Sequence, residues 1–384
     1  MIAIKNGRIL TMAGPTLPQG TVIIEDGRIK AVGADLPVPD GAEVIDATGK
    51  VVMPGLIDAH CHVGIAEEIY RVEGDDTNEY SDPVTPHLRA IDAVNPEDLG
   101  FRDALAGGVT TVCTTPGSAN ILGGEMLAMK TAGRVIDEMV IQAPIGLKAA
   151  LGENPKRVYG RDKKTPITRM ASAALLRTAL TGARDYLDKI ERAGRGEGEK
   201  PGRDLKHEVV AKVLTGEIPL RLHAHRADDI MTALRIAREF GIRLVIEHAT
   251  EGYKVADILA REDIPVIIGP IITNRPKVEM RDRTIKAAHH YREVGVRFAI
   301  MTDHPVVPIE YLGLSAALTV RGGLDEESAM QAVTIEAARI LGLDERIGSL
   351  EPGKDADLII LDRDFFDVRA RVERVYVAGE CVYE

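Results

Sequence analysis

The first fifty residues alternate apolar and polar positions in short runs separated by glycines. MIAIKNGRIL, TVIIEDGRIKAVG and AEVIDATGKVV show the period of two that half-buried strands have. The Asp26–Gly27 pair inside the second run is typical of a two-residue hairpin turn. The last forty residues repeat this pattern in DADLIILDRD and VERVYVAGECVYE. Because chain ends commonly lie close together, we predict that residues 1–55 and 345–384 form one small β-sandwich domain from both termini.

Between residues 56 and 344 the pattern changes to near-continuous apolar runs separated by amphipathic stretches. Such runs are typical of parallel strands buried on both faces, and the stretches between several of them predict helices. We therefore predict an α/β fold, a (β/α)₈ TIM barrel. Seven strands are predicted with the bounds 56–62, 109–115, 139–146, 219–225, 243–249, 265–272 and 297–303. The candidate eighth strand, LKAAL (147–151), has no helix before it, and residues 155–217 are predicted to form a helical, charged excursion.

Polar side chains that can bind metal fall at the carboxyl ends of four of these strands. They are His60, His62, His223, His225, His248 and Asp303. In a parallel barrel those ends form the active-site face. Side chains two residues apart on a strand share a face, so His60 and His62 can bind one ion, and His223 and His225 have the same geometry. Each residue alone has an ordinary interpretation, a core histidine or, for Asp303, a helix N-cap. Together they predict a metal site.

Imidazole and carboxylate ligands suit zinc and, with less specificity, iron, manganese, cobalt or nickel. One or two ions are compatible with this set of residues. A second ion needs a bridging anion, and Lys148 is the candidate, because a neutral lysine amine in a dry site can react with carbon dioxide to form a carbamate. Glu153 is the alternative bridging ligand. Lys148 could instead be a surface lysine or an ion-pair partner.

Composition narrows the classes of partner. The formal charge is −11, from 48 basic and 59 acidic residues, which argues against a nucleic acid or an anionic membrane as partner. Three distant cysteines form no disulfide framework. The N-terminus has no signal-peptide pattern, and no apolar run approaches the ~18 residues of a membrane helix. We expect a cytoplasmic protein that acts on a small molecule, and assembly into a homo-oligomer is left open.

Several segments resemble the amidohydrolase superfamily. They are PGLIDAHCH (54–62), the HAH and EHAT segments, MTDHP and SLEPGKDADLIILD (349–362), and PGSANILGG (116–124) is similar to imidazolonepropionase and related amidohydrolases. The resemblance implies that His60, His62, His223 and His248 bind metal. It also implies that Asp303 is both ligand and proton shuttle and that Lys148 is the bridging carbamate. His225 and Arg226 stand where some relatives carry an acidic or amide residue that contacts substrate, so either His223 or His225 is the ligand on that strand.

We therefore expect a metal-dependent hydrolase that cleaves a non-peptide, cyclic or N-acyl amide C–N bond with metal-activated water. Asp303 would take the proton of that water, and His225 would help to polarise the carbonyl. Arg226, Ser118 and Asn120 are candidate substrate contacts. The alternatives are deamination of an aminated heterocycle, a metallo-dipeptidase of the same superfamily, and a non-catalytic scaffold on the same fold.

Overall fold

The computed structural model describes residues 1–69 and 72–384. Its strands are β1 Ile2–Ile9, β2 Leu17–Glu25, β3 Arg28–Gly33, β4 Glu43–Asp46, β5 Val51–Pro54, β6 Leu56–Cys61, β7 Val109–Thr114, β8 Leu122–Lys130, β9 Val140–Ala150, β10 Leu220–Ala224, β11 Leu244–His248, β12 Val266–Ile268, β13 Phe298–Ile300, β14 Leu358–Leu361, β15 Val372–Val377 and β16 Glu380–Tyr383. Its α-helices are α1 Leu99–Ala106, α2 Ile136–Met139, α3 Glu153–Arg161, α4 Arg169–Gly194, α5 Leu205–Leu214, α6 Ala227–Phe240, α7 Ala256–Arg261, α8 Ala287–Val294, α9 Leu312–Arg321, α10 Glu326–Gln331 and α11 Ile335–Leu341.

The two ends of the chain share one sheet. Its strand order is β16-β15-β14-β5-β1-β2-β3, with β4 paired to β1, so strands from both termini are hydrogen-bonded neighbours. The predicted hairpin is present, since β2 and β3 pair antiparallel around Asp26 and Gly27. Both turn residues have positive φ, as a type I′ turn requires. The contribution of both termini is thus observed, whereas a sandwich of two sheets stays a prediction.

The second sheet follows the chain in the order β6 to β13 and is a nearly closed eight-stranded barrel. Its seam lies between the first and last strands. There the backbone amides of Ile57 and Ile300 donate to the carbonyls of Val333 and Ala332, at 2.8 and 3.0 Å. The buried Asp58 carboxylate adds a bond across the same seam, because it accepts from the backbone amide of Thr302 at 3.1 Å.

One strand of the barrel departs from the predicted pattern. β8 pairs antiparallel with both β7 and β9, so the barrel is not a uniform (β/α)₈ repeat. The predicted eighth strand, LKAAL, is wrong, because residues 147–150 continue β9 and the missing strand is β8. The sequence LGGEMLAMK hides this strand, since Leu, Glu, Met, Ala and Lys favour helices and glycine weakens a strand signal. Strand pairing on both sides overrides that local preference.

The excursion between β9 and β10 is helical, as predicted for residues 155–217. It contains α3, α4 and α5, of which α4 is the longest helix in the described part of the chain. Within residues 1–69 and 72–384, no helix combines the length and the apolar character needed to cross a bilayer.

The antiparallel direction of β8 ties the barrel to the terminal sheet. Because of this direction, Lys130, the last residue of the strand, lies next to Asp355 and Asp357, which precede β14. The ammonium group lies 2.9 Å from Asp355 Oδ2 and also contacts the Asp357 carboxylate. All three side chains are buried, so this ion pair is a shielded link between the two sheets.

We expect Lys130→Met to lower the free energy of unfolding by about 3–5 kcal/mol, because it leaves the Asp357 carboxylate buried without its cation. Chemical denaturation followed by circular dichroism measures this loss. Lys30→Met, on the exposed edge strand β3, is the control and should change stability by less than about 1 kcal/mol, as expected for an exposed ion pair. Equal stability of the two variants would show that the link contributes nothing.

Candidate metal centre

The barrel mouth brings together all six residues singled out at the strand ends. They form two groups, His60 with His62 and Asp303, and His223 with His225 and His248. Within each group, potential ligand atoms lie within 4.8 Å of one another. The groups are adjacent, since the ring centroids of His60 and His248 are 5.3 Å apart. This arrangement can hold one or two ions.

Each of the five histidines is anchored through its Nδ1 atom. The partners are Glu247 Oε2 at 2.8 Å for His60, the Thr115 carbonyl at 2.6 Å for His62, Ser118 Oγ at 2.9 Å for His223, Thr250 Oγ1 at 2.7 Å for His225 and the Gly269 carbonyl at 3.0 Å for His248. A partner on one ring nitrogen orients the ring and leaves the other nitrogen for a metal. For His62 and His248, a carbonyl partner accepts from Nδ1–H and so leaves the lone pair on Nε2.

The donor chemistry of the second group fits a divalent metal. The Nε2 atoms of His225 and His248 are buried without a hydrogen-bond partner in the described residues. Burial lowers the pKa of His223 and His225 well below the usual value, and it lowers the pKa of His248 to about 3. These rings are therefore neutral at pH 7, which is the form that binds metal.

Asp303 lies between the two histidines of the first group. Its Oδ1 atom is 3.2 Å from His60 Nε2 and 3.4 Å from His62 Nε2. Burial would raise the pKa of Asp303, but the neighbouring histidines hold it well below the usual value, so the group is a carboxylate. The N-cap interpretation is wrong, because the next α-helix begins at Leu312.

Two of these residues have backbone conformations that a strand pattern does not predict. His248 has φ +70° and Asp303 has φ +58°, in the left-handed region that non-glycine residues rarely adopt. At His248 this conformation breaks the alternation of β11, so that both Glu247 and His248 face the site. Strained backbone of this kind clusters at functional sites.

Glu247 is the central residue that the sequence analysis missed. Its fully buried carboxylate contacts Arg221 Nη2 at 2.7 Å, His60 Nδ1 at 2.8 Å and Lys148 Nζ at 3.1 Å. Burial would raise the pKa of Glu247, but these three groups hold it well below the usual value. Burial alone would lower the pKa of His60. The Glu247 carboxylate favours the charged ring, and the pKa of His60 is raised above its usual value. The available signal was a charged residue inside each of two strands, Glu247 in RLVIEHA and Arg221 in PLRLHAH, because a charged residue is rarely buried unless it is paired.

The structure distinguishes among the interpretations of Lys148. The side chain is fully buried, which excludes a surface lysine, and its contact with Glu247 matches the ion-pair interpretation. A carbamate would instead need a bound carbon dioxide on this amine. Glu153 begins α3 and belongs to neither group of potential ligands in the described residues. The bridging carbamate stays a prediction.

A cleft opens over both groups of potential ligands. Of the three predicted substrate contacts, Ser118 lines this cleft and also holds His223. Asn120 is buried and bonded to Thr85 and Tyr159, and Arg226 pairs with Asp228. Neither Asn120 nor Arg226 is among the described residues that line the cleft.

A family model for the amidohydrolase family matches residues 51–382, which include both groups of ligands. This chain belongs to the amidohydrolase family. The sequence-based assignment to this superfamily is confirmed, and the chain is a hydrolase that acts on carbon–nitrogen bonds. Members of the superfamily bind divalent metals, and the two groups at the barrel mouth offer ligands for them.

Proteins of several kinds are similar to this chain in sequence or in structure. Amidohydrolase tasK of Hapsidospora irregularis is 30% identical over 95% of this chain, although the chain spans only 40% of that relative's length. Imidazolonepropionase of Mesorhizobium japonicum is 27% identical over 98% of this chain and 94% of its own. The crystal structure of an amidohydrolase from Thermotoga maritima MSB8 is 45% identical, covers 100% of both chains and superposes with a TM-score of 0.97.

We expect the His60→Ala/His62→Ala variant to lose the metal held by the first group while its far-UV circular dichroism spectrum is retained. The reason is that the variant removes two of the three ligands in that group. The measurement is metal content by mass spectrometry after loading with zinc and desalting. His289→Ala/His290→Ala removes two partly exposed histidines of α8 and is the matched control. Full occupancy in the first variant would contradict the ligand assignment.

Proposed function

We propose that this amidohydrolase is a metal-dependent enzyme that hydrolyses the C–N bond of a non-peptide amide, cyclic or N-acyl, in a small molecule. The observation that carries the proposal is the set of five histidines anchored at Nδ1 around one ionised aspartate. A bound divalent metal, zinc by the nature of the ligands, would polarise the amide carbonyl and lower the pKa of water toward about 7.

Asp303 is the proposed proton shuttle. It is an ionised carboxylate, and 13% of its side chain remains exposed to the cleft. It can therefore accept a proton from the attacking water and return that proton to the leaving nitrogen, which completes hydrolysis without net change in the enzyme. Its Oδ1 atom lies beside the Nε2 atoms of His60 and His62, so the carboxylate is next to the place where these histidines would hold the metal.

His225 is the proposed partner of the substrate carbonyl oxygen. Its Nδ1 atom lies 2.7 Å from the Thr250 hydroxyl, and its Nε2 atom lies 3.7 Å from Glu279 Oε1. If Thr250 donates to Nδ1, the proton of the neutral ring is on Nε2 and can be donated to the oxygen that becomes negative in the transition state. In the other tautomer the proton is on Nδ1, and Nε2 of His225 would be a third nitrogen ligand beside His223 and His248.

The direct test is a screen of metal-loaded enzyme with cyclic amides, N-acyl amino acids and dipeptides. We expect turnover of a cyclic or N-acyl amide that is abolished by chelation and restored by zinc. Release of ammonia from an aminated heterocycle without amide hydrolysis would replace the proposal with deamination. Turnover that survives complete removal of metal would overturn the metal dependence.

Asp303→Asn should reduce kcat by roughly 10²–10⁴-fold or more, because it removes the general base and keeps the shape of the side chain. The histidine ligands that remain should still retain metal, so metal content is measured on the same sample. Asp188→Asn, on the exposed face of α4, is the control and should leave kcat unchanged. Activity of Asp303→Asn within a few-fold of the original would exclude Asp303 from proton transfer.

A further inference from the structure

The cleft contains an arginine that the proposed chemistry does not use. Arg157 lies on α3, is exposed and lines the cleft beside His223 and Asp303. Across residues 1–69 and 72–384, no acidic group lies within ion-pair distance of its guanidinium. A second cation, Lys277, lines the same cleft with 17% of its side chain exposed.

Two nearby arginines, in contrast, are paired with carboxylates. Arg226, which precedes α6, pairs with Asp228 at 2.7 Å, and Arg169 at the start of α4 pairs with Asp229 at 2.9 Å. Lys277 pairs with Glu279, whose Oε1 atom accepts a long hydrogen bond of 3.5 Å from its Nζ atom. Glu279 is also engaged by the backbone amide of Glu153 at 2.9 Å. Because Arg157 has no such ion-pair partner among the described residues, its positive charge is available to a ligand.

Arg157 lies on the same face of α3 as Asn154. Asn154 lies three residues earlier, and its Nδ2 atom is 3.5 Å from His223 Nε2. Residues three apart lie on the same face of a helix, about 4.5 Å apart along its axis. Asn154 and Arg157 both line the cleft, so the face of α3 that they share is the face turned toward it. Arg157 belongs to neither group of potential metal ligands in the described residues, so its place in the cleft suits recognition of a substituent rather than of the bond that is cleaved.

We infer that Arg157, assisted by Lys277, binds a carboxylate carried by the substrate, so that this enzyme selects amides with an acidic substituent. The inference rests on the proposed function, because it concerns the substrate of the same site. A guanidinium matches a carboxylate with two parallel hydrogen bonds, and a lysine adds a point charge. The chain carries a net charge of −11, so an anionic ligand needs such local cations to enter the cleft.

The test uses two matched pairs of probes, 5-oxo-L-proline with its carboxamide and N-acetyl-L-alanine with its carboxamide. Binding is measured by titration calorimetry in metal-loaded Asp303→Asn protein, so that turnover does not consume the probes. We expect the carboxylate member of at least one pair to bind about tenfold or more tightly than its carboxamide. Adding Arg157→Met should remove that preference. Adding Lys156→Met, which neutralises the preceding residue of α3 outside the described cleft lining, should preserve it.

Absence of any carboxylate preference, including absence of binding by every probe, would overturn the inference. A preference that survives Arg157→Met would also overturn it, since the carboxylate would then be held by the metal. Failure of the proposed reaction is distinguishable. An Arg157-dependent preference in an enzyme that hydrolyses no amide refutes the reaction alone, whereas amide hydrolysis without the preference refutes the carboxylate site alone.

Discussion

The buried carboxylate of Glu247 is the interaction on which the rest of the site depends. It is shared by Arg221 from β10, Lys148 from β9 and His60 from β6, so one anion fixes side chains from three other strands. A charge buried to this extent is tolerated only when it is paired and hydrogen-bonded. Arg221 completes the arrangement, because its Nη2 atom also donates to the carbonyl of Ala59 at 2.9 Å.

This network needs space inside the barrel, and a glycine supplies it. A Cβ atom on Gly146 would lie 2.6 Å from Cγ of Arg221, so a larger residue would displace the arginine from Glu247. From the barrel interior outward, these side chains contact one another in series. Arg221 contacts Glu247, Glu247 contacts His60, and His60 contacts Asp303, which lines the cleft in which substrate is proposed to bind.

The sequence predicted which residues meet at the barrel mouth better than it predicted the residues that support them. The carboxyl ends of parallel strands meet at one face, so His60, His223 and Asp303 could be grouped from strand positions alone. The supports could not be found this way. Apolar periodicity predicts which positions are buried, but it does not tell whether a buried charge has a partner on another strand. The left-handed backbone at His248, which turns that residue and Glu247 toward the same site, also has no signature in the alternation of β11.

In the fold, too, features set by local sequence were predictable and features set by long-range contacts were not. The hairpin at Asp26–Gly27 was predictable because local turn chemistry determines it. β8 was not, because pairing with β7 and β9 stabilises a segment whose own residues favour a helix. Its antiparallel direction takes Lys130 to the terminal sheet, which is a long-range contact that no local pattern contains.

The central claim is that Glu247 orients His60 for a divalent metal, and the zinc dissociation constant of Glu247→Gln tests it most directly. The measurement is competition with a chromophoric chelator at neutral pH, with thermal unfolding recorded on the same protein. Loss of an outer partner of a metal-binding histidine weakens metal binding by about 10–100-fold. We predict a loss of that size in folded protein, and an unchanged dissociation constant would contradict the account.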